Sequence, residues 1–166
     1  MQMNADFKNA IFLAQSDTTA GFLSANRAQI LNAKHSPKNK AILRESCDLA
    51  HIKALTRIPR ILQKQMRRAK KSTFIFDNNL SFRVIFAESN GESSPNSRDL
   101  GANLHHAFLK RFGTLFSSSA NKTGQNFNAN FALKNADIIV CDSRGIYKDS
   151  PSHIFKTRKS KLKKIR

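Results

Sequence analysis

Short apolar runs alternate along this chain with amphipathic stretches. Residues 10–15, AIFLAQ, are apolar until the polar SDTT, the pattern of a buried strand feeding a loop. In SANRAQILNAK (24–34), Ala25, Ala28, Ile30 and Leu31 form a rough apolar face with Ser24 as the expected cap, which predicts a helix. Pro37 ends that helix, because its ring cannot continue one, and KAILR (40–44) predicts a second strand. In SCDLAHIKALTR (46–57), Leu49, Ile52 and Leu55 recur at three-residue steps and predict another helix.

The clearest β pattern lies in the middle. STFIFDNNLSFRVIF (72–86) sets two β-prone runs around Asp77, Asn78 and Asn79, residues that tolerate turn conformations, and predicts a hairpin. AESNGESSPNSRD (87–99) is polar with Gly and Pro, and is expected to be a mobile loop. DLGANLHHAFLKRFG (99–113) predicts a helix, with Asp99 near its start and Gly113 just past its end. TLF (114–116) and ADIIVCD (136–142) predict further strands, and no internal repeat is visible. Alternating strands and helices in a chain of 166 residues predict one α/β domain.

Charge narrows the partners. Lys and Arg number 29 against 11 acids, a formal net charge of +18, and the excess is clustered at QKQMRRAKK (63–71) and KTRKSKLKKIR (156–166). Such clusters favour a polyanion, either nucleic acid or nucleotide phosphate. The last cluster is expected to lack structure unless bound. Cys47 and Cys141 form no CxxC, and no leader or apolar run of membrane-spanning length is visible, so the expectation is a cytoplasmic protein with no membrane partner. The five His and two Cys show no paired ligand spacing, so no metal centre is expected. His105 and His106 are adjacent and on a helix point in different directions, as half-buried or surface histidines do.

Three polar segments fall at expected strand ends: QSDTTAGF (15–22), KHSPKNK (34–40) and SSSANKTG (117–124). Ligands of open α/β sheets gather at such ends. Each segment alone reads as a loop. Together and in order, they resemble the YrdC-like threonylcarbamoyl-AMP synthases. That family carries Pro-Thr-Asp-Thr-Val-Tyr-Gly-Leu after a strand, Lys-x-Arg-Pro at a helix end, Thr-Phe-Val and Val-Arg-Val in strands, and Ser-Thr-Ser-Ala-Asn-x-Ser-Gly later. The chain matches with QSDTTAGF, KHSP, TFIF (73–76), FRV (82–84) and SSSANKTG.

The resemblance implies a twisted, mixed α/β sheet curved around a basic concave cavity, in a domain over 1–154 followed by a basic tail, 155–166. It implies a nucleotidyltransferase that condenses L-threonine, bicarbonate and ATP with Mg2+ to threonylcarbamoyl-adenylate and pyrophosphate. The threonylcarbamoyl group then goes to a tRNA adenosine, together with partner proteins of the threonylcarbamoylation machinery. Carried across by position, Ser117, Ser119 and Asn121 become the nucleotide cradle, with Lys34 facing phosphate and Lys40 beside it. Ser16 and Thr18 fall beside threonine, and Arg83 meets its carboxylate, a role that suits a two-pronged guanidinium. Lys34 and Thr18 become the catalytic pair.

The departures leave two readings open. Ser36 stands where the family has the arginine of Lys-x-Arg-Pro, Ala20 and Gln15 replace an aromatic and a proline, and His153 replaces a threonine. One reading is a synthase in which Lys38, Lys40 or Arg44 supplies the missing charge. The other is a catalytically weak or inactive module that binds double-stranded or structured RNA through its basic face.

Overall fold

The structure, a computed structural model, describes residues 7–86, 97–140, 142–158 and 161–166. The polar segment 87–96 and Cys141, read above as loop and strand, lie outside the described residues.

The first strand pair is β1 (Phe12–Ala14) and β2 (Gly21–Ser24), antiparallel across the 15–20 loop. Helix α1 (Arg27–Ala33) follows, but its cap is Asn26, whose side chain accepts from the Ala28 amide at 3.0 Å. Ser24, the last residue of β2, lies two positions too early to cap it; its hydroxyl instead accepts from the Asn26 amide at 3.1 Å. Strand β3 (Leu43–Ser46) starts later than KAILR suggests, and Asp48 caps a short α2 (Leu49–Lys53) that leaves Leu55 exposed. Pro59 then opens α3 (Arg60–Arg68), which sequence reading took only as a charge cluster. Leu62 and Met66, four apart, are buried on it while Arg60, Lys64, Arg67 and Arg68 face water.

The expected hairpin is β4 (Ser72–Ile75) and β5 (Ser81–Val84), with Asn79 in the left-handed region at φ 60°. Helix α4 (Ser97–Phe112) ends at Gly113, φ 81°, where glycine takes the left-handed turn without strain. Strand β6 (Leu115–Ser119), helix α5 (Ala129–Lys134) and strand β7 (Ile138–Val140) follow. The basic segment expected to lack structure instead forms β8 (His153–Arg158) and β9 (Lys161–Lys164), an antiparallel pair added parallel to β4.

These strands make one mixed sheet in the order β7-β1-β2-β6-β3-β5-β4-β8-β9. Alternation along each strand divides the core between its two faces. On one face α1 and α5 cover Leu13 and Phe22, while α2 and α3 cover Phe74, Phe82 and Val84. On the other, α4 packs Leu109, Phe108 and Phe112 against Phe12, Leu23 and Leu115. Helix α4 covers this second face only in part, and the polar residues of β3, β5 and β6 lie beside it.

Candidate functional site

A cavity of about 510 Å³ opens on that second face. This lies within the usual range for small-molecule sites, about 300–1,000 Å³. Gly21 and Ser117 to Ser119 form one wall, Ser16, Thr18 and Thr19 another, and Glu45 and Arg83 the floor. Lys148, Asp149, Ser152 and Arg166 close the far side. Strand register assembles the floor. Glu45 pairs with Arg83 across β3 and β5, Arg83 pairs with Thr73 across β5 and β4, and Ser117 lies between Leu23 and Leu43.

Arg83 is 5% exposed and is the hub of the floor. Its two terminal nitrogens donate to the Thr18 hydroxyl at 2.9 and 3.0 Å. It also pairs with the Asp17 carboxylate and lies 3.5 Å from Glu45 Oε1. Its Nε is buried with no hydrogen-bond partner among the described residues. Behind it, the other Glu45 oxygen meets His105 Nε2 of α4 at 2.7 Å. Burial pushes the Glu45 carboxyl up, but the His105 hydrogen bond and charge, the Arg83 guanidinium and the Ser117 hydroxyl overcome it and hold it down at about 2. Glu45 is therefore a buried carboxylate at neutral pH. His105 is not the partly exposed histidine expected from sequence, being 2% exposed and committed to Glu45.

The 15–19 loop is braced to present its hydroxyls. The Ser16 hydroxyl accepts from the Thr18 amide at 3.1 Å and lies 3.1 Å from the Thr18 hydroxyl. Gln15, the residue in the proline position, donates to the Thr18 carbonyl at 2.6 Å and accepts from the Tyr147 amide at 2.9 Å. Arg144 donates to the Gln15 carbonyl at 3.1 Å while pairing with Asp142. Thr19 ties the loop to Asp149 through its hydroxyl, which donates to the Asp149 carbonyl at 2.9 Å. A hydrogen bond from Lys71 in turn keeps the Asp149 carboxyl below its ordinary range.

The Ser-Ala-Asn segment is locked by a buried lysine. Lys34, at the end of α1, donates to the Ser119 carbonyl, to the Asn121 carbonyl at 2.7 Å and to Asn121 Oδ1 at 3.3 Å. Burial and the charge of Lys40 lower its ammonium to about 8. Asn121 uses both ends of its amide, accepting from the Ser119 hydroxyl at 2.5 Å and donating to the Lys122 and Gln125 carbonyls at 2.9 and 2.6 Å. Gly124, φ 77°, turns the chain after it.

Of the residues singled out by sequence, Ser16, Thr18, Arg83, Ser117, Ser119 and Asn121 line one cavity. Lys34 and Lys40 do not line it. Lys34 is turned onto loop carbonyls, and Lys40 lies 3.4 Å from the Thr123 hydroxyl, which also bonds Ser36. Arg44 cannot supply the missing cavity charge, because its guanidinium lies over the Phe116 and Phe82 rings, 4.6 and 5.9 Å from their centroids, on the opposite sheet face. Sequence reasoning missed Glu45, His105 and Ser152, while Thr73 stood in the matched TFIF segment without a role. Thr73 and Ser152 share a hydroxyl contact of 3.1 Å beside Arg83. Ser152 precedes His153, the residue in the family's threonine position, and Glu45 and His105 carried no motif. Among the described residues no cluster of three or more His, Cys, Asp or Glu could hold a metal, and no helix is long and apolar enough to cross a membrane.

By sequence, the chain matches no known protein family and no curated protein. By structure it is similar to the Sua5 protein of P. abyssi complexed with L-threonine, at 13% identity and TM-score 0.68, covering 98% of this chain and 52% of that one. It is similar to E. coli YciO at 13% identity and TM-score 0.63, over 95% of this chain and 82% of that one. It also matches a full-length HypF in its phosphate- and nucleotide-bound form, at 12% identity and TM-score 0.68, over 95% of this chain and 27% of that one. The chain thus spans about half the length of the Sua5 chain. The nine-stranded mixed sheet and five helices of the described residues have the YrdC-like fold of the Sua5 and YciO structures.

Proposed function

We propose that the cavity binds L-threonine and ATP with Mg2+, and that the protein condenses them with bicarbonate to threonylcarbamoyl-adenylate and pyrophosphate. One observation carries this reading: Arg83, Thr18, Ser16 and the Ser117 to Asn121 segment, which the resemblance ties to threonine and nucleotide, converge on one cavity. The similarity to a Sua5 complexed with L-threonine and to a nucleotide-bound HypF supports it.

In this reading Arg83 takes the threonine carboxylate by displacing Asp17 from its fork, while Glu45 and His105 keep the guanidinium in place. The Ser16 and Thr18 hydroxyls hold the amino acid, and Ser117, Ser119 and Asn121 hold the nucleotide. Lys34 serves by fixing the Ser119 and Asn121 carbonyls, so that the cradle is set before ATP arrives. Lys148 and Arg166, which line the far wall, meet the triphosphate in place of the missing Lys-x-Arg arginine. The product serves tRNA threonylcarbamoyladenosine formation in the cytoplasm, with the partner proteins of that machinery.

The test is pyrophosphate release from ATP by the purified protein, with threonine and bicarbonate supplied together or singly. Release that requires both supports the synthase. No release above the protein-free rate, from folded protein that binds ATP, would leave a catalytically inactive nucleotide-binding module, the reading that Ser36 and the turned-away Arg44 favour.

A further inference from the structure

Among the described residues two acids line the cavity, Glu45 and Asp149. The Asp149 carboxylate is already committed, to Lys71 Nζ at 2.8 Å and to the Ser150 amide at 2.6 Å. Glu45 has capacity left. One of its oxygens accepts from His105 Nε2 at 2.7 Å, and the Ser117 hydroxyl donates to the same carboxylate. Its Oε1 lies 3.5 Å from Arg83 Nη1, longer than a strong charge-assisted hydrogen bond, which runs at about 2.7–2.9 Å. A carboxylate offers about four acceptor positions, so Glu45 can still accept from a ligand that reaches the floor.

Arg83 is shared as well. Asp17 and Glu45 both face its one guanidinium, and in the proposed reading a ligand carboxylate takes the place of Asp17. Asp17 can yield, because it stands on the 15–19 loop with its side chain 14% exposed. Glu45 cannot: it is 2% exposed, sits in β3 directly across from Arg83, and is tied to α4 through His105. A simple carboxylate entering the fork therefore meets a second, buried carboxylate beside it, and like charges sharing a dry site repel strongly. An α-amino acid carries its own compensation. Its two charged groups sit on one carbon, so with the carboxylate on Arg83 the ammonium falls beside the neighbouring Glu45, and the floor holds two opposite pairs side by side.

We propose that Glu45 is the residue that selects an α-amino acid at the cavity floor, by accepting from the ligand's α-ammonium while Arg83 holds its carboxylate. The proposal deepens the reading of this cavity as an amino-acid site and rests on it for the place of the carboxylate. The ligand class follows from the pair. Zwitterions with both groups on one carbon are accepted, whereas α-hydroxy acids, which offer Arg83 the same carboxylate but bring no cation, are refused. Refusal comes from leaving a buried charge beside a like charge, a stronger discriminator than pocket shape alone.

The experiment is isothermal titration calorimetry, without ATP, of L-threonine and of its α-hydroxy analogue, in which a hydroxyl replaces the amine. The wild-type protein should prefer threonine by about tenfold or more, as loss of a charged hydrogen bond implies. Glu45→Gln should bring the two affinities within about twofold of each other. Glu45→Asp, which keeps the charge, should retain a preference for threonine. Asp17→Asn should keep the preference while tightening both ligands, because it removes the internal occupant of Arg83. A Glu45 that only supports Arg83 would, on replacement, weaken both ligands alike and leave their ratio as in the wild type, and that result would overturn the proposal. So would equal wild-type affinities, a ratio as flat in Glu45→Asp as in Glu45→Gln, or a preference lost in Asp17→Asn. Circular dichroism melts check that each variant is folded; if Glu45→Gln is not, the wild-type and Glu45→Asp ratios decide. Glycine, L-serine and L-valine are titrated alongside, each with its own hydroxy analogue. If one of them binds with a Glu45-dependent preference and threonine does not, the proposal stands and the synthase reading falls. Threonine-dependent pyrophosphate release with a ratio indifferent to Glu45 does the reverse, and no binding of any of the four amino acids overturns both.

Discussion

Glu45 is the buried carboxylate of the cavity floor, held ionised by its partners. Its folded value, about 2, lies below the ordinary 4.5, so the native protein binds fewer protons than the unfolded chain between those values. Its contribution is complete above pH 4.5 and is lost as pH falls through 2; a shift of this size corresponds to roughly 3 kcal/mol. Glu45→Gln should therefore flatten the acid limb of a urea-stability curve between pH 4.5 and 2, and lower stability at neutral pH. Acid limbs that run parallel in the two proteins would mean the pairing with His105 and Arg83 contributes nothing. Asn121 gives a second case. Four hydrogen bonds converge on its side chain, so Asn121→Ala should lower both stability and ATP affinity, each by about 1–3 kcal/mol. Loss of ATP affinity at an unchanged melting temperature would instead give Asn121 a direct ligand contact and little structural role. Arg83 and Thr18 were legible in the sequence because they stand in motifs. Glu45 and His105 were not, because they are 60 residues apart and meet only through the register of β3 and the placement of α4.

The packing of β2 on β6 sets the cradle wall. A Cβ at Gly21 would lie 3.2 Å from the Ser118 carbonyl oxygen, a backbone atom held in the sheet. Gly21→Ala should thus push β2 from β6, destabilise the protein by about 1–3 kcal/mol and loosen the Ser117 to Ser119 wall. Thermal unfolding with and without ATP checks this, and an unaltered melting temperature would show that β6 can yield. Long or strongly periodic elements were readable: the β4–β5 hairpin from its alternation around Asp77 to Asn79, and α4 from its length and Gly113. Short ones were not. Strand β2 has four residues and follows a polar run, and α3 and β8–β9 hide apolar positions such as Leu62, Phe155 and Leu162 among lysines and arginines. Their burial depends on neighbours far away in sequence, which local pattern cannot report.

Across the molecule, one sheet keeps two tasks apart. One face is closed by α1, α5, α2 and α3 over a phenylalanine-rich core, and the other is left partly open by α4. On the open face the hydroxyl and amide donors of β6 and the 15–19 loop meet the Arg83 floor, and Lys148 and Arg166 border it. The central claim is that this cavity takes threonine and nucleotide together. Isothermal titration calorimetry with ATP and Mg2+, in the absence and presence of L-threonine, tests it most directly. The account predicts measurable heat with ATP and tighter ATP binding once threonine occupies Arg83; no heat with millimolar ATP from folded protein, with or without threonine, would contradict it.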